Sequence, residues 1–126
     1  MASLTLILLP ETYAVCKLPP DAAIPPLPLS AALVALTLTR DELSLVLPEA
    51  AVPEGALAAG GWRALRVAGA LDFALTGVLA GLTQPLAVAG VSVFAISTYD
   101  TDYLLTPAAN LSAALDALRA AGYTIA

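Results

Sequence analysis

The sequence VSVFAISTYDTDYLLT, residues 91–106, decides the predicted fold because it contains two strands and the polar turn that joins them. Residues 91–96 have the length and the β-branched, aromatic content of a buried strand, and residues 103–105 predict the returning strand. Residues 97–102 between them are the densest polar cluster of the chain, with two acids and four hydroxyl side chains. We therefore expect any site for a small polar molecule to lie at this end of the hairpin.

The segments around this hairpin follow a regular order from Trp62 onward. A strand with one buried face comes first, and a helix follows it, with Thr76 as N-cap and Gly90 as C-terminal stop. Asn110 is predicted to cap a second helix that Gly122 closes, and a last short strand follows. The order β-α-β-β-α-β indicates an α+β, ferredoxin-like fold, in which one antiparallel sheet carries two helices on one face.

The first part of the chain is less regular. Residues 4–9 and 13–18 predict a hairpin whose loop contains Pro10. Residues 32–39 and 43–47 predict a second pair of strands. The proline-rich stretch between the two pairs favours an extended connector, because proline lacks the amide hydrogen that a helix or a central strand requires.

A domain boundary is expected at Gly60-Gly61. Residues 56–59 predict a short helix that this glycine pair ends. The predicted domains are therefore residues 1–60 and residues 61–126.

Composition narrows the classes of partner. The chain has 126 residues, of which 60% are hydrophobic and 12% charged, so we expect part of its surface to be covered by a partner, most simply in a homodimer or higher homo-oligomer. The net charge of −5 and the absence of a basic stripe argue against nucleic acid, because phosphate neutralisation requires Lys and Arg.

A membrane span and an extracellular location are both disfavoured. No charged residue lies between Asp72 and Asp100, but Gln84-Pro85 and Ala89-Gly90 interrupt this run, and no basic cluster flanks it. A helix followed by a buried strand explains the run better. The single cysteine, Cys16, lies in an apolar run and is expected to be a buried thiol in a reducing, cytoplasmic environment.

The sequence offers no catalytic set, and we expect neither enzymatic activity nor a cofactor. It contains no His and no glycine-rich phosphate loop. The pair Asp100 and Asp102 has two readings: a solvated turn in which Thr101 bonds to the local backbone, or contact with a ligand. A metal site is not expected, because calcium requires more oxygen ligands and a glycine-bearing loop.

Three segments resemble the ACT domain: residues 71–78 (LDFALTGV), residues 85–87 (PLA) and residues 93–105 (VFAISTYDTDYLL). More narrowly, they resemble bacterial ACT proteins related to the regulatory part of aspartate kinase and to the cytosolic arginine sensor of animals. The resemblance covers approximately residues 62–126. The first half is similar to the degenerate ACT-like partner that such proteins carry beside the standard unit.

The resemblance implies a regulatory sensor that binds a small molecule, most often an amino acid, where two ACT units meet. By the same resemblance, backbone amides would bind the ligand's carboxylate at Thr76, Gly77 and Val78. Its ammonium group or a polar side chain would face Ser97, Thr98, Asp100 and Asp102. The chain departs from the arginine sensor at Ala74 and Leu75, which are apolar where that sensor is acidic. The alternative is an ACT-fold module that assembles proteins without a ligand.

Overall fold

The computed structural model describes residues 4–69 and 76–126. The chain forms β1 (Thr5–Leu18), β2 (Ala35–Leu38), β3 (Leu43–Pro48), β4 (Leu57–Val67), α1 (Val78–Val88), β5 (Phe94–Ser97), β6 (Asp102–Pro107), α2 (Leu111–Ala120) and β7 (Thr124–Ile125). Short 3-10 helices at Glu49–Ala51 and Ala108–Asn110 follow β3 and β6.

The chain divides into two compact units. The C-terminal unit contains the residues up to Leu9 together with Arg63–Ala126, and the N-terminal unit contains Pro10–Trp62. Strands β1 and β4 contribute residues to both units. The division falls within β4, between Trp62 and Arg63, and the first residues of the chain group with the C-terminal unit. A domain boundary after residue 60 stays a prediction.

The C-terminal unit has the predicted α+β arrangement, with one addition. Its strands follow the order β7-β1-β4-β6-β5, and β5 and β6 pair antiparallel as expected. The start of β1 is the addition: it pairs in parallel with β7, with Thr5 opposite Thr124 and Leu6 opposite Ile125. The ferredoxin-like order predicted from residue 62 did not include this strand, because nothing in its local sequence indicates its distant partner.

One hydrophobic core joins both helices of the C-terminal unit to its sheet. Buried side chains recur on α1 and α2 at intervals of four residues, which places them on one face of each helix. The buried members of the core are Leu6, Leu65, Val67, Val78, Leu82, Leu86, Val91, Leu104, Ala114, Leu118 and Tyr123. Each fully buried leucine contributes about 1.5–3 kcal/mol, so this face holds the helices on the sheet.

The helix ends agree only partly with the sequence prediction. Gly90 ends α1 as predicted: its φ is 73°, and the N–H of Val91 donates to the carbonyl of Leu86 at 2.9 Å. The predicted N-cap Thr76 is wrong, because the N-cap is Gly77, in the left-handed region with φ 77°. Asn110 does occupy the N-cap of α2, but its side chain makes no capping hydrogen bond.

In the N-terminal unit, the strand order is β2-β3-β1-β4. The predicted hairpin at Pro10 is wrong, because residues 5–18 form one strand, which pairs antiparallel with β3 from Tyr13 onward. Pro10 lies between this ladder and the pairing of β1 with β7. Proline has no N–H to donate, but at this position neither the ladder with β3 nor the pairing with β7 requires one. Proline is therefore tolerated within β1.

The predicted helix at residues 56–59 is also wrong, because β4 begins at Leu57 and continues through both glycines. The Oε2 atom of Glu49 accepts a hydrogen bond from the N–H of Gly61 at 2.8 Å. A Cβ atom at Gly60 would overlap this carboxylate, and Gly61 has a φ of 79°. The glycine pair therefore makes room for Glu49 rather than ending a helix.

Cys16 is buried in the core of the N-terminal unit with Leu45 and Leu47, as predicted. Burial raises the pKa of its thiol, which keeps it protonated and unreactive. No described helix is both long and apolar enough to cross a membrane.

Candidate functional site

The turn between β5 and β6 is held by a threonine at each end. Ser97 and Asp102 form the last residue pair of the ladder. Thr98 donates its N–H to the carbonyl of Thr101 at 2.8 Å, and the Thr98 hydroxyl accepts the N–H of Thr101 at 3.3 Å. Thr98 rather than Thr101 therefore makes the local side-chain bonds of this turn, contrary to the solvated-turn reading of the sequence.

Thr101 instead ties the turn to another strand. Its side chain is 6% exposed, and its Oγ1 donates a hydrogen bond to the carbonyl of Val67 at 2.8 Å. Val67 is the last residue of β4, from which the chain continues toward α1. The polar turn is therefore fixed at the end of β4.

The acidic groups of the turn differ in their surroundings. The hydroxyl of Ser97 donates to Oδ1 of Asp102 at 2.6 Å, a charge-assisted bond that orients this half-buried carboxylate. Asp100 is exposed at the tip, beside the exposed Tyr99. Among the described residues, neither carboxylate forms an ion pair with a basic side chain. The turn is therefore a negatively charged surface that could attract a cationic group.

The start of α1 has the opposite electrostatic character. Gly77 forms the N-cap, and no side-chain hydrogen bond caps this end of the helix among the described residues. The N–H of Gly81 donates to the carbonyl of Gly77 at 2.9 Å. The N–H groups in the first turn of an α-helix have no partner within the helix. A helix start of this kind carries a partial positive charge that favours anions.

Comparison with protein families identifies the fold. The family model of the ACT domain matches residues 58–120, half of the chain, from the beginning of β4 to the end of α2. The chain belongs to the ACT domain family. A second family model, described as an N-terminal domain, matches residues 11–55.

Solved structures agree with this assignment. A protein from Agrobacterium tumefaciens with a solved crystal structure is 29% identical in sequence. Its structure matches with a TM-score of 0.91 over 100% of this chain and 94% of the other. The ligand-free regulatory subunit of aspartate kinase from Thermus thermophilus is 15% identical, with a TM-score of 0.65 over 93% of this chain and 96% of that subunit. Aspartate kinase from Clostridium acetobutylicum is 9% identical, with a TM-score of 0.68 over 96% of this chain and 35% of the kinase. The two kinase likenesses concern the fold alone.

The site residues predicted for this ACT protein fall into two groups. One group, Ser97, Thr98, Asp100 and Asp102, lies together at the β5–β6 turn. The other lies at the start of α1, where Thr76 and Gly77 are exposed and Val78 is buried. Val67 accepts the hydrogen bond of Thr101, and Val67 and Val78 are both members of the core of the C-terminal unit. That the two groups form one site stays a prediction. Ala74 and Leu75, the apolar residues at which the chain departs from the arginine sensor, lie outside the described residues.

The bond between Thr101 and Val67 has no signal in the sequence. The two residues are 34 positions apart, and no local pattern indicates which carbonyl a turn hydroxyl will reach. The bond between Ser97 and Asp102 could have been found, because facing positions at the end of a two-stranded hairpin place their side chains side by side.

Replacing Thr101 by Val should lower the free energy of unfolding by about 1–3 kcal/mol, because the buried carbonyl of Val67 would lose its hydroxyl donor. Urea unfolding followed by circular dichroism measures this change. Thr106→Val is the matched control, since the Thr106 hydroxyl is buried and has no hydrogen-bond partner in the part of the chain that the structure describes. The control should be neutral or stabilising. Equal effects of the two substitutions would show that the bond between Thr101 and Val67 does not stabilise the turn.

Proposed function

We propose that this ACT protein is a non-catalytic regulatory protein that binds a free amino acid through the start of α1 and the β5–β6 turn. The observation that carries the proposal is the hydrogen bond between Thr101 and Val67, which fixes the acidic turn at the end of the strand leading to α1. We further propose that the ligand lies at an interface between ACT units, in a cytoplasmic homo-oligomer, as the sequence resemblance implies.

The two parts of the proposed site suit the two charges of a zwitterion. The amides at the start of α1 would bind the carboxylate, and Gly77 would let the ligand approach the backbone closely because no Cβ atom intervenes. Asp102, oriented by Ser97, and the exposed Asp100 would bind the ammonium group. Thr98 would contribute its hydroxyl near the same end of the hairpin.

The family and its structural neighbours support a regulatory role. The chain contains an ACT domain, and regulatory subunits of aspartate kinase share its fold. The narrower likeness to the arginine sensor remains part of the proposal. Ala74 and Leu75 reduce the acidity expected around the ligand, so we propose that a neutral amino acid binds better than a basic one.

A thermal-shift screen with the free amino acids, followed by isothermal titration calorimetry, tests the proposal. At least one amino acid should bind in the micromolar to millimolar range. A ligand present at 100 times its Kd stabilises the folded state by about 2.7 kcal/mol, which would raise the melting temperature by several degrees. If no amino acid changes the melting temperature of the folded protein or releases heat, the proposed function is wrong.

The second candidate is an assembly module without a ligand. Exposed large apolar side chains favour it, among them Leu29 and Val88, because such surfaces often bind another protein. This candidate predicts that Asp102→Ala changes at most the stability of the chain and leaves its assembly with other proteins unchanged. The calorimetric screen separates this candidate from an amino-acid sensor.

A further inference from the structure

The sheet of the N-terminal unit carries a groove on one face. Residues of β1, β3 and β4 line it, together with Glu42 just before β3, and its volume is about 340 Å³. All of these residues belong to the N-terminal unit. Sites for small ligands have volumes of about 300–1,000 Å³, so the groove is large enough for a molecule the size of an amino acid.

The strand register places the polar lining of this groove on the face that points away from the core around Cys16. Cys16 lies opposite Leu45 in the ladder of β1 and β3, and both are buried in that core. Lys17 lies opposite Ser44, so these two side chains point to the other face of the sheet. Glu42 precedes Ser44 by two residues and lines the same groove.

The groove brings together a positive and a negative side chain that do not neutralise each other. Diagonal neighbours on adjacent antiparallel strands lie about 7–8 Å apart, and Lys17 and Glu42 have this relation because Lys17 lies opposite Ser44. Within residues 4–69 and 76–126, neither of the two side chains forms an ion pair. Both charges are therefore available to a bound molecule.

The rest of the groove is apolar. Val15 lies on the same side of β1 as Lys17, and Leu57 and Ala59 contribute from β4. The side chain of Leu57 is 74% exposed, so a molecule bound beside it would remove apolar surface from water. The groove therefore combines two opposite charges with an aliphatic wall.

We propose that this groove is a binding site for a free amino acid with an aliphatic side chain. The ligand's carboxylate accepts hydrogen bonds from the ammonium group of Lys17, and its own ammonium group donates to the carboxylate of Glu42. Its aliphatic part contacts Val15 and Leu57.

The two charges select this class of ligand. A simple anion would meet the negative charge of Glu42 as well as Lys17, and a simple cation would meet Lys17 as well as Glu42. A dipolar molecule matches both side chains without such repulsion.

This site goes beyond the proposed function, because it shares no residue with the start of α1 or the β5–β6 turn. It does not require that either of those segments binds a ligand. An experiment that reports on individual residues therefore tests the two sites separately.

A nuclear magnetic resonance titration of the isotope-labelled chain with L-leucine is such an experiment. The amide signals of residues 15–17, 42–44 and 57–59 should shift together and reach saturation. Isocaproate, which is leucine without its ammonium group, and isoamylamine, which is leucine without its carboxylate, should each bind at least about fivefold more weakly at these amides.

Charge-removing variants test the two side chains. Lys17→Gln should raise the Kd of L-leucine at these amides about fivefold. Arg40→Gln is the matched control, because Arg40 is the other basic residue of the unit, is exposed and does not line the groove. Glu42→Gln should also raise the Kd about fivefold. Glu54→Gln is its control, since Glu54 is exposed and lies outside the groove. Both controls should stay within about twofold of the unchanged chain.

The amide signals also show that each variant is folded, and they separate the possible results. Shifts at residues 76–80 and 97–102 without shifts at the groove would overturn this proposal and support the proposed function. Shifts at the groove alone would support this proposal and count against the proposed function. An absence of shifts at the groove, isocaproate binding as tightly as L-leucine, or equal effects of Lys17→Gln and Arg40→Gln would each overturn the groove as an amino-acid site.

Discussion

Asp102→Asn should raise the Kd of the amino acid found in the screen by about 10–100-fold. The substitution removes the negative charge that faces the ammonium group in the proposed complex. It keeps an oxygen that can accept the hydroxyl of Ser97, so the turn retains its geometry. A hydrogen bond to a charged group contributes about 1.5–3 kcal/mol, and each 1.4 kcal/mol is a factor of ten in Kd. Isothermal titration calorimetry measures the change.

Asp116→Asn is the matched control, because it removes the same charge from an exposed position on α2. The Asp116 carboxylate lies 4.0 Å from Arg119, and its side chain is 78% exposed. The Kd of this control should stay within about twofold of the unchanged chain, since exposed charges distant from a site are screened by salt. If Asp102→Asn binds as tightly as the control, the turn does not bind the ammonium group.

The parts of the fold that the sequence predicts well are those whose signals are local. The hairpin of β5 and β6 follows from two apolar runs that flank a polar turn, and Gly90 marks a helix end because it adopts a positive φ. Gly77 also adopts a positive φ, but it lies at the start of a helix rather than at its end. The left-handed N-cap makes glycine necessary there, and the neighbouring Thr76 then has no capping role.

The failures have a common physical origin, namely partners that are distant in the chain. Pro10 predicts the end of a strand. In the structure β1 continues through it, because Pro10 lies between the residues that pair with β7 and those that pair with β3. Gly60 and Gly61 predict the end of a helix. In the structure both lie within β4, where the carboxylate of Glu49 packs against them. In both cases a residue type that usually ends a strand or a helix lies within a strand. Contacts with residues distant in the chain make this possible, and the neighbouring sequence does not specify those contacts.

The same limit applies to the candidate site. Ser97, Thr98, Asp100 and Asp102 can be grouped from the sequence because they are neighbours along the chain. The structure adds the bond from Thr101 to Val67, which holds this exposed turn at the end of β4. The proposed grouping with the start of α1 rests on that bond and is tested by binding.

Leu118→Ala should lower the free energy of unfolding by about 2–5 kcal/mol, the second large effect that we expect. Leu118 is 0% exposed in the core that joins α1 and α2 to the sheet, and truncation leaves a cavity that close-packed neighbours cannot fill. Val88→Ala is the matched control on the other helix. Val88 is 83% exposed, so its truncation should change stability by less than about 0.5 kcal/mol.

Urea unfolding measures both variants, and calorimetry on the folded fraction adds a second comparison. Leu118 offers no polar side-chain group to a ligand, so Leu118→Ala should reduce stability while leaving Kd nearly unchanged. Asp102→Asn should do the reverse, because its carboxylate is half-buried and is not a member of the hydrophobic core. If both variants lost affinity in proportion to stability, the apparent binding defect of Asp102→Asn would reflect unfolding. Opposite responses would instead assign binding to the turn and stability to the helix face.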